Sequence, residues 1–257
     1  WHCPDEYLNL PIHMRQFEME LLTPKAADNG EVVLQLHGGG YIAKIRNAYR
    51  DFAVRYSKID QYRVLSVDYR VAPQHPYPAA FQDALEAYRW LLYSGFSGDR
   101  IILAGDSAGG GLVLALAMYL RDQSMPLPKK LVMMSPWTDL TASGPSYQEN
   151  YENDPLFGNT RESMIYNGEY AGKQDPKLPY ISPLFGDFHG LPPMLFQVGS
   201  LEMLLSDSVL AAQKAKEAGC DVTLTVYQDM FHVFQLSMDK LAESRAAWDE
   251  VAAFLGK

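Results

Sequence analysis

The sequence is short of several things, and each shortage excludes a class of function. Its 257 residues include only two cysteines, Cys3 and Cys220. They lie far apart and match no metal-ligand spacing, so no disulfide framework and no structural metal organises the chain. Two free thiols are the simpler reading, and one disulfide is the alternative. Basic residues are outnumbered, 22 Lys and Arg against 31 Asp and Glu, for a formal net charge of -9. A chain of that sign lacks the electrostatic footprint of a nucleic-acid or anionic-membrane binder. No apolar run reaches transmembrane length, which predicts no stable membrane insertion. No basic-then-apolar leader opens the chain, which predicts a cytoplasmic protein. The sequence begins at Trp1 rather than Met, so an upstream segment would fall outside it. Neither a G-x-G-x-x-G fingerprint nor a P-loop is present, so no nucleotide-phosphate cradle is expected.

What is present supports a full core. Hydrophobic residues make up 47% and charged residues 21%, a globular rather than a disordered composition. Strands are expected at 17–22, 31–36, 62–67, 100–104, 130–135, 194–198 and 222–227. Helices are expected at 47–59, 79–93, 107–121, 204–218 and 239–255. The last-but-one helix stops at Gly219, a C-terminal signal. Alternating strands and helices predict one α/β domain over 1–257, with a mostly parallel sheet covered on both faces. Ligands then belong at the carboxyl ends of the strands. Residues 1–16, broken by Pro4 and Pro11, read as an irregular arm. Residues 139–191, rich in Gly, Pro, Asn and Tyr, read as an insertion with one helix at 161–170. Both stretches are expected to be cap elements.

One run joins strand to helix abruptly: Gly105-Asp106-Ser107-Ala108-Gly109 follows an apolar strand and precedes an apolar helix. Glycines two residues either side of a serine permit a strained turn that lifts the serine hydroxyl above the sheet. A serine hydroxyl is a weak nucleophile without a base to take its proton. Of six histidines, His232 alone lies just past the last strand, at the same sheet edge as Ser107, where a base could reach it. The acid must follow the strand at 194–198, and both Glu202 and Asp207 qualify. An oxyanion also needs donors already aimed at it. The run His37-Gly38-Gly39-Gly40 ends another strand, and the amides of Gly38, Gly39 and Ala108 are the expected donors. Tyr41 and Trp137 are candidate pocket walls. His37 is expected to brace the glycine loop, Asp106 to orient the turn, and Asp68 with Arg70 to form a supporting pair.

These residues come as a set. His37 to Tyr41, Asp68 to Pro73, His75-Pro76, Pro78 to Ala80, Asp83, Gly105 to Gly110, Ser135-Pro136-Trp137 and Met230-Phe231-His232 resemble the α/β-hydrolase superfamily. Within it they are similar to the hormone-sensitive-lipase-like branch, the bacterial family IV carboxylesterases. The resemblance implies an α/β-hydrolase fold and a triad of Ser107, His232 and an acid 30 residues before the histidine, at Glu202, where the family more often has Asp. It also implies an oxyanion hole at Gly38, Gly39 and Ala108, and no metal or organic cofactor. The expected activity is hydrolysis of short-acyl esters through an acyl-enzyme on Ser107, with a small-molecule ester as partner. Alternatives on the same triad are a carbohydrate acetyl esterase, a lactonase or an amidase. A non-catalytic ligand-binding receptor is the alternative of another class, and the presence of both Ser107 and His232 argues against it. Only 36 residues precede His37; either an N-terminal arm was trimmed or the pocket is more open than usual, and an open pocket would suit bulkier alcohol portions such as acylated sugars. The resemblance leaves room for a homodimer formed near the last strand.

Overall fold

Strands buried along their whole length need cover on both faces. Val32–Leu36 and Ile101–Asp106 are buried at every position. The computed structural model, which describes every residue except 27, 164, 167 and 257, supplies that cover. Its strands are β1 (Tyr7–His13), β2 (Glu18–Pro24), β3 (Val32–Leu36), β4 (Arg63–Asp68), β5 (Ile101–Asp106), β6 (Lys130–Met134), β7 (Met194–Gly199) and β8 (Val222–Tyr227). They form one sheet in the order β1-β2-β4-β3-β5-β6-β7-β8. From β4 to β8 neighbouring strands pair in parallel, and β1 and β2 add an antiparallel edge.

The helices are α1 (Asn47–Asp60), α2 (Ala79–Tyr93), α3 (Ser107–Asp122), the single turn α4 (Ser146–Glu149), α5 (Leu205–Glu217) and α6 (Ala242–Leu255). Alternate residues of each strand feed two separate cores. Val33, Val64, Ile102, Ala104 and Val132 pack with α1 and α6 through Phe52, Tyr56, Trp248 and Val251. Leu34, Leu65, Leu103, Leu131 and Phe196 pack on the other face against α2, α3 and α5. Each fully buried aliphatic or aromatic side chain contributes roughly 2 kcal/mol of burial free energy. The chain leaves β3 through α1 on one face and leaves β5 through α3 on the other. That reversal opens a crevice at the carboxyl ends of β3 and β5, the place where such sheets bind ligands.

The structure corrects the sequence expectations in three places. Residues 7–13 form β1, paired along their length with β2, rather than an irregular arm. Pro11 is tolerated because β1 is the outermost strand, where a missing N–H breaks no ladder. No helix forms among the described residues of 161–170, which adopt turns and bends. The last helix begins at Ala242 rather than 239, because Phe234–Lys240 is a 3-10 stretch kinked at Met238 (φ 51°). Among the described residues, no helix is long and apolar enough to cross a membrane.

Candidate active site

The parallel register levels the strand ends. Leu36 pairs with Gly105, Gly105 with Met133, and Gly199 with Tyr227. The residues that follow β3, β5, β7 and β8 therefore meet at one rim, which is where the sequence places the glycine run, Ser107, Glu202 and His232.

Ser107 begins α3 in the left-handed region, at φ 52°. A non-glycine residue there is strained and needs surroundings that impose it. The surroundings are the two elbow glycines. A Cβ on Gly105 would sit 2.5 Å from the Gly109 carbonyl oxygen, and one on Gly109 would sit 2.0 Å from that of Leu36. Only glycine lets the α3 start press against β3 and β5. Three other non-glycine residues on this rim, Tyr41, Ser135 and Val233, also have positive φ.

His232 is buried, and its Nδ1 lies 2.8 Å from Glu202 Oε2. Glu202 is fully buried. Its other oxygen, Oε1, accepts from the Ser135 hydroxyl at 2.7 Å and the Gly199 amide at 2.6 Å. Ser135 Oγ in turn accepts from the Val233 amide at 3.1 Å, which ties the histidine loop to the end of β6. A carboxylate with both oxygens engaged holds one orientation, and so holds the ring it faces. The His232 ring packs at an angle against Phe157 from the insertion, with centroids 4.8 Å apart.

Asp207, the other candidate acid, is placed elsewhere. It is buried, and its Oδ2 accepts from the amides of Thr138 and Asp139 at 2.7 and 2.8 Å. Burial, reinforced by the nearby Asp139 carboxylate, pushes its pKa up to about 8. It pins the start of the insertion to α5.

The glycine run is corrected by one residue. The Gly38 amide donates to Tyr49 Oη at 2.9 Å and to Asp106 Oδ1 at 3.0 Å, so it is spent inside the protein. Tyr49 also donates to Asp106 Oδ2 at 3.0 Å. Gly39 and Gly40 are the glycines that line the cavity. A Cβ on Gly38 would meet Asp106 Oδ2 at 2.3 Å, so this close approach requires glycine. Burial pushes Asp106 up to about 6, against the opposing pull of the Tyr49 hydrogen bond and of His232. His37 braces the loop as expected: its ring stacks on Tyr69 at 4.1 Å, and Nδ1 reaches the Gly38 carbonyl at 2.7 Å. Burial lowers its pKa to about 4, which keeps it neutral near pH 7.

Asp68 and Arg70 do not pair with each other. Arg70 grips Asp83 in α2 through Nε and Nη2, the latter at 2.7 Å. Asp68 instead accepts the Ile45 amide at 3.1 Å and faces Lys44 at 3.6 Å. Tyr41 and Trp137 are core residues, each 1% exposed. Tyr41 stacks on Tyr170 at 3.7 Å and tilts toward Trp137 at 6.2 Å. Neither lines the cavity beside Ser107.

That cavity has a volume of about 300 Å³ and holds Ser107 and His232 in one wall system with Gly39, Gly40, Ile42, Leu156, Phe157 and Leu236. A larger hollow of about 450 Å³ lies where β4 and β5 begin, lined by Arg63 and Arg100. It holds none of the rim residues, so the smaller cavity is the candidate site. The contributions of Ser135, Leu156 and Arg46 carry no local signal in the sequence. Only the length of the insertion signalled that something in it would reach the site.

A sheet of this topology with a strained serine after β5 and a carboxylate–histidine pair after β7 and β8 defines an α/β hydrolase. A family model described as alpha/beta hydrolase fold matches residues 33–236. The chain is 39% identical over 230 residues to an acetyl-hydrolase of Streptomyces hygroscopicus, covering 90% of this chain and 77% of that protein. It is 35% identical to an esterase of Acinetobacter venetianus, covering 95% of this chain and 80% of that one. Among solved structures it is similar to an esterase of the bacterial hormone-sensitive lipase family, with TM-score 0.92 and 39% identity over 99% of this chain and 86% of the other. The chain belongs to the α/β-hydrolase family, in its hormone-sensitive-lipase-like branch.

Proposed function

We infer that this carboxylic ester hydrolase works through Ser107, His232 and Glu202. The observation that carries the reading is the pairing of His232 Nδ1 with a fully buried Glu202, while the same histidine shares a cavity with Ser107. Glu202 accepts a hydrogen bond from the Nδ1–H, which keeps the proton on Nδ1 and leaves Nε2 as the base. His232 takes the Ser107 proton as the hydroxyl attacks the ester carbonyl. The oxyanion is held by the amides of Gly39, Gly40 and Ala108, of which each donor contributes about 3 kcal/mol to the transition state. The imidazolium passes its proton to the departing alcohol. Water, deprotonated by the same ring, then frees the acid from Ser107. Asp106 and Tyr49, which also line the cavity, position the glycine loop through Gly38.

Walls of Ile42, Leu156, Phe157, Val233 and Leu236 around about 300 Å³ suit a short acyl chain, since this is the low end of ligand-pocket sizes. Residues 139–191 act as the cap, through Leu156 and Phe157. The test is a panel of aryl esters of increasing chain length, acetylated sugars, lactones and anilides. Turnover is expected to peak at short acyl esters and to be negligible for anilides. A strict preference for long chains or for lactones would overturn the assignment.

The last strand, β8, ends the sheet, and Val226 on it is 42% exposed. Such an edge can pair with a second copy, and the protein is expected to be a dimer by light scattering; a monomer at every concentration would remove this part. Cys3 and Cys220 are free thiols, which suits a reducing compartment such as the cytoplasm.

A further inference from the structure

The wall of the cavity beside Ser107 is apolar over most of its extent, but Arg46 stands in it. Arg46 is exposed, and it follows the glycine run by a few residues. Its basic neighbours are matched. Lys44 faces Asp68 at 3.6 Å, and Arg50 grips Glu20 through both Nε and Nη2. Among the described residues the Arg46 side chain makes no ion pair and no hydrogen bond. Both neighbouring cations of this stretch thus have a carboxylate, and Arg46 has none. Here it stands at the mouth of the catalytic cavity.

The other charged groups of the wall are accounted for. His232 is engaged by Glu202. Asp106 accepts from the Gly38 amide and the Tyr49 hydroxyl, on the elbow side. That leaves Arg46 as the wall residue whose charge is not taken up by a neighbour. A guanidinium presents parallel N–H donors that fit a carboxylate in a two-pronged pair.

We propose that Arg46 is a specificity-determining residue that selects esters carrying a second, free carboxylate. Such a substrate is either a monoester of a dicarboxylic acid or an acylated hydroxy acid. The apolar walls take the carbon chain, the ester carbonyl meets Ser107, and the free carboxylate meets Arg46 at the rim. This rests on hydrolysis at Ser107. Because Arg46 is exposed, water and salt screen the contact, so the preference is moderate and falls as salt rises.

Two matched pairs of esters test this and separate the two substrate sources. Monomethyl adipate against methyl adipamate places the charge on the acyl side. 4-Acetoxybenzoate against 4-acetoxybenzamide places it on the alcohol side. The readout is the ratio of kcat/KM, charged over neutral, for wild type, Arg46→Gln, Arg46→Lys and Arg46→Glu at low and high salt. In at least one pair the wild-type ratio at low salt is expected to be about tenfold. It should fall to near parity in Arg46→Gln, recover in part in Arg46→Lys, and invert in Arg46→Glu. High salt should shrink the wild-type ratio and leave that of Arg46→Gln unchanged, a pattern that lost packing alone would not give. Parity or a neutral preference in wild type for both pairs overturns the proposal, as does an Arg46→Gln ratio equal to wild type. If wild type hydrolyses none of the four esters, the hydrolase reading itself falls and takes this proposal with it. Hydrolysis of neutral esters with no dependence on Arg46 sinks the proposal alone.

Discussion

Ser107→Ala is expected to reduce kcat on short-acyl esters by about 10⁶-fold, since removing the nucleophile of such a triad disables the unit as a whole. The residual rate would come from the oxyanion donors and from substrate positioning. The fold should survive. The Ser107 side chain is part of no core cluster, and the left-handed φ of 52° is imposed by Gly105 and Gly109, which the substitution leaves in place. Alanine at that φ carries much the same backbone strain as serine, so the urea midpoint should shift little. A variant that keeps more than about a hundredth of wild-type kcat would show that Ser107 is not the nucleophile. A variant that fails to fold would place the elbow's stability in the hydroxyl, contrary to the geometry.

Glu202→Gln is the second large effect. The amide can still reach His232, but it offers an N–H or a neutral oxygen where the imidazolium needs a negative charge. The loss expected is about 10⁴-fold in kcat, the scale seen when a triad acid becomes its amide. Asp207→Asn is the matched control. Asp207 touches the Thr138 and Asp139 amides rather than His232, so activity should stay within a few-fold of wild type. Stability should respond instead. The folded protein binds the Asp207 proton up to about pH 8, whereas the unfolded chain releases it near the ordinary carboxyl pKa of about 4. Between those values the folded state holds more protons, so this group's contribution to stability is greatest at low pH and declines as pH rises toward 8. Asparagine does not titrate, so the stability of Asp207→Asn relative to wild type should increase from about pH 4 to about pH 8. Activity loss confined to Asp207→Asn would reverse the assignment of the acid.

Much of this site was legible in the sequence because its signals are local and sharp. The elbow glycines are demanded by backbone contacts, the serine lies between them, and His232 alone follows the last strand. Glu202, the proposed acid, was singled out by its spacing from His232, and the two side chains do meet. The oxyanion loop was legible only as a loop. Which of three consecutive glycines turns its amide to the cavity depends on Tyr49 and Asp106, 11 and 68 residues from Gly38, and no local pattern encodes that. β1 was missed because Pro11 reads as a breaker, although an outermost strand tolerates it. Tyr41 and Trp137 were candidate walls by position, yet their rings turn into the core, where Tyr41 stacks on Tyr170 and tilts toward Trp137. Leu156, Phe157 and Arg46 lie in stretches without periodicity, so only their three-dimensional placement brings them to the cavity.

The central claim is that an acyl group passes through Ser107. Mass spectrometry of the intact protein after brief mixing with a fluorophosphonate or a slowly deacylating aryl ester tests it most directly. One adduct per chain is expected, located by peptide mapping to the segment holding Ser107, with its formation slowed by Glu202→Gln and abolished by Ser107→Ala. Ester turnover with no adduct on Ser107, or with the adduct on another residue, would contradict the account.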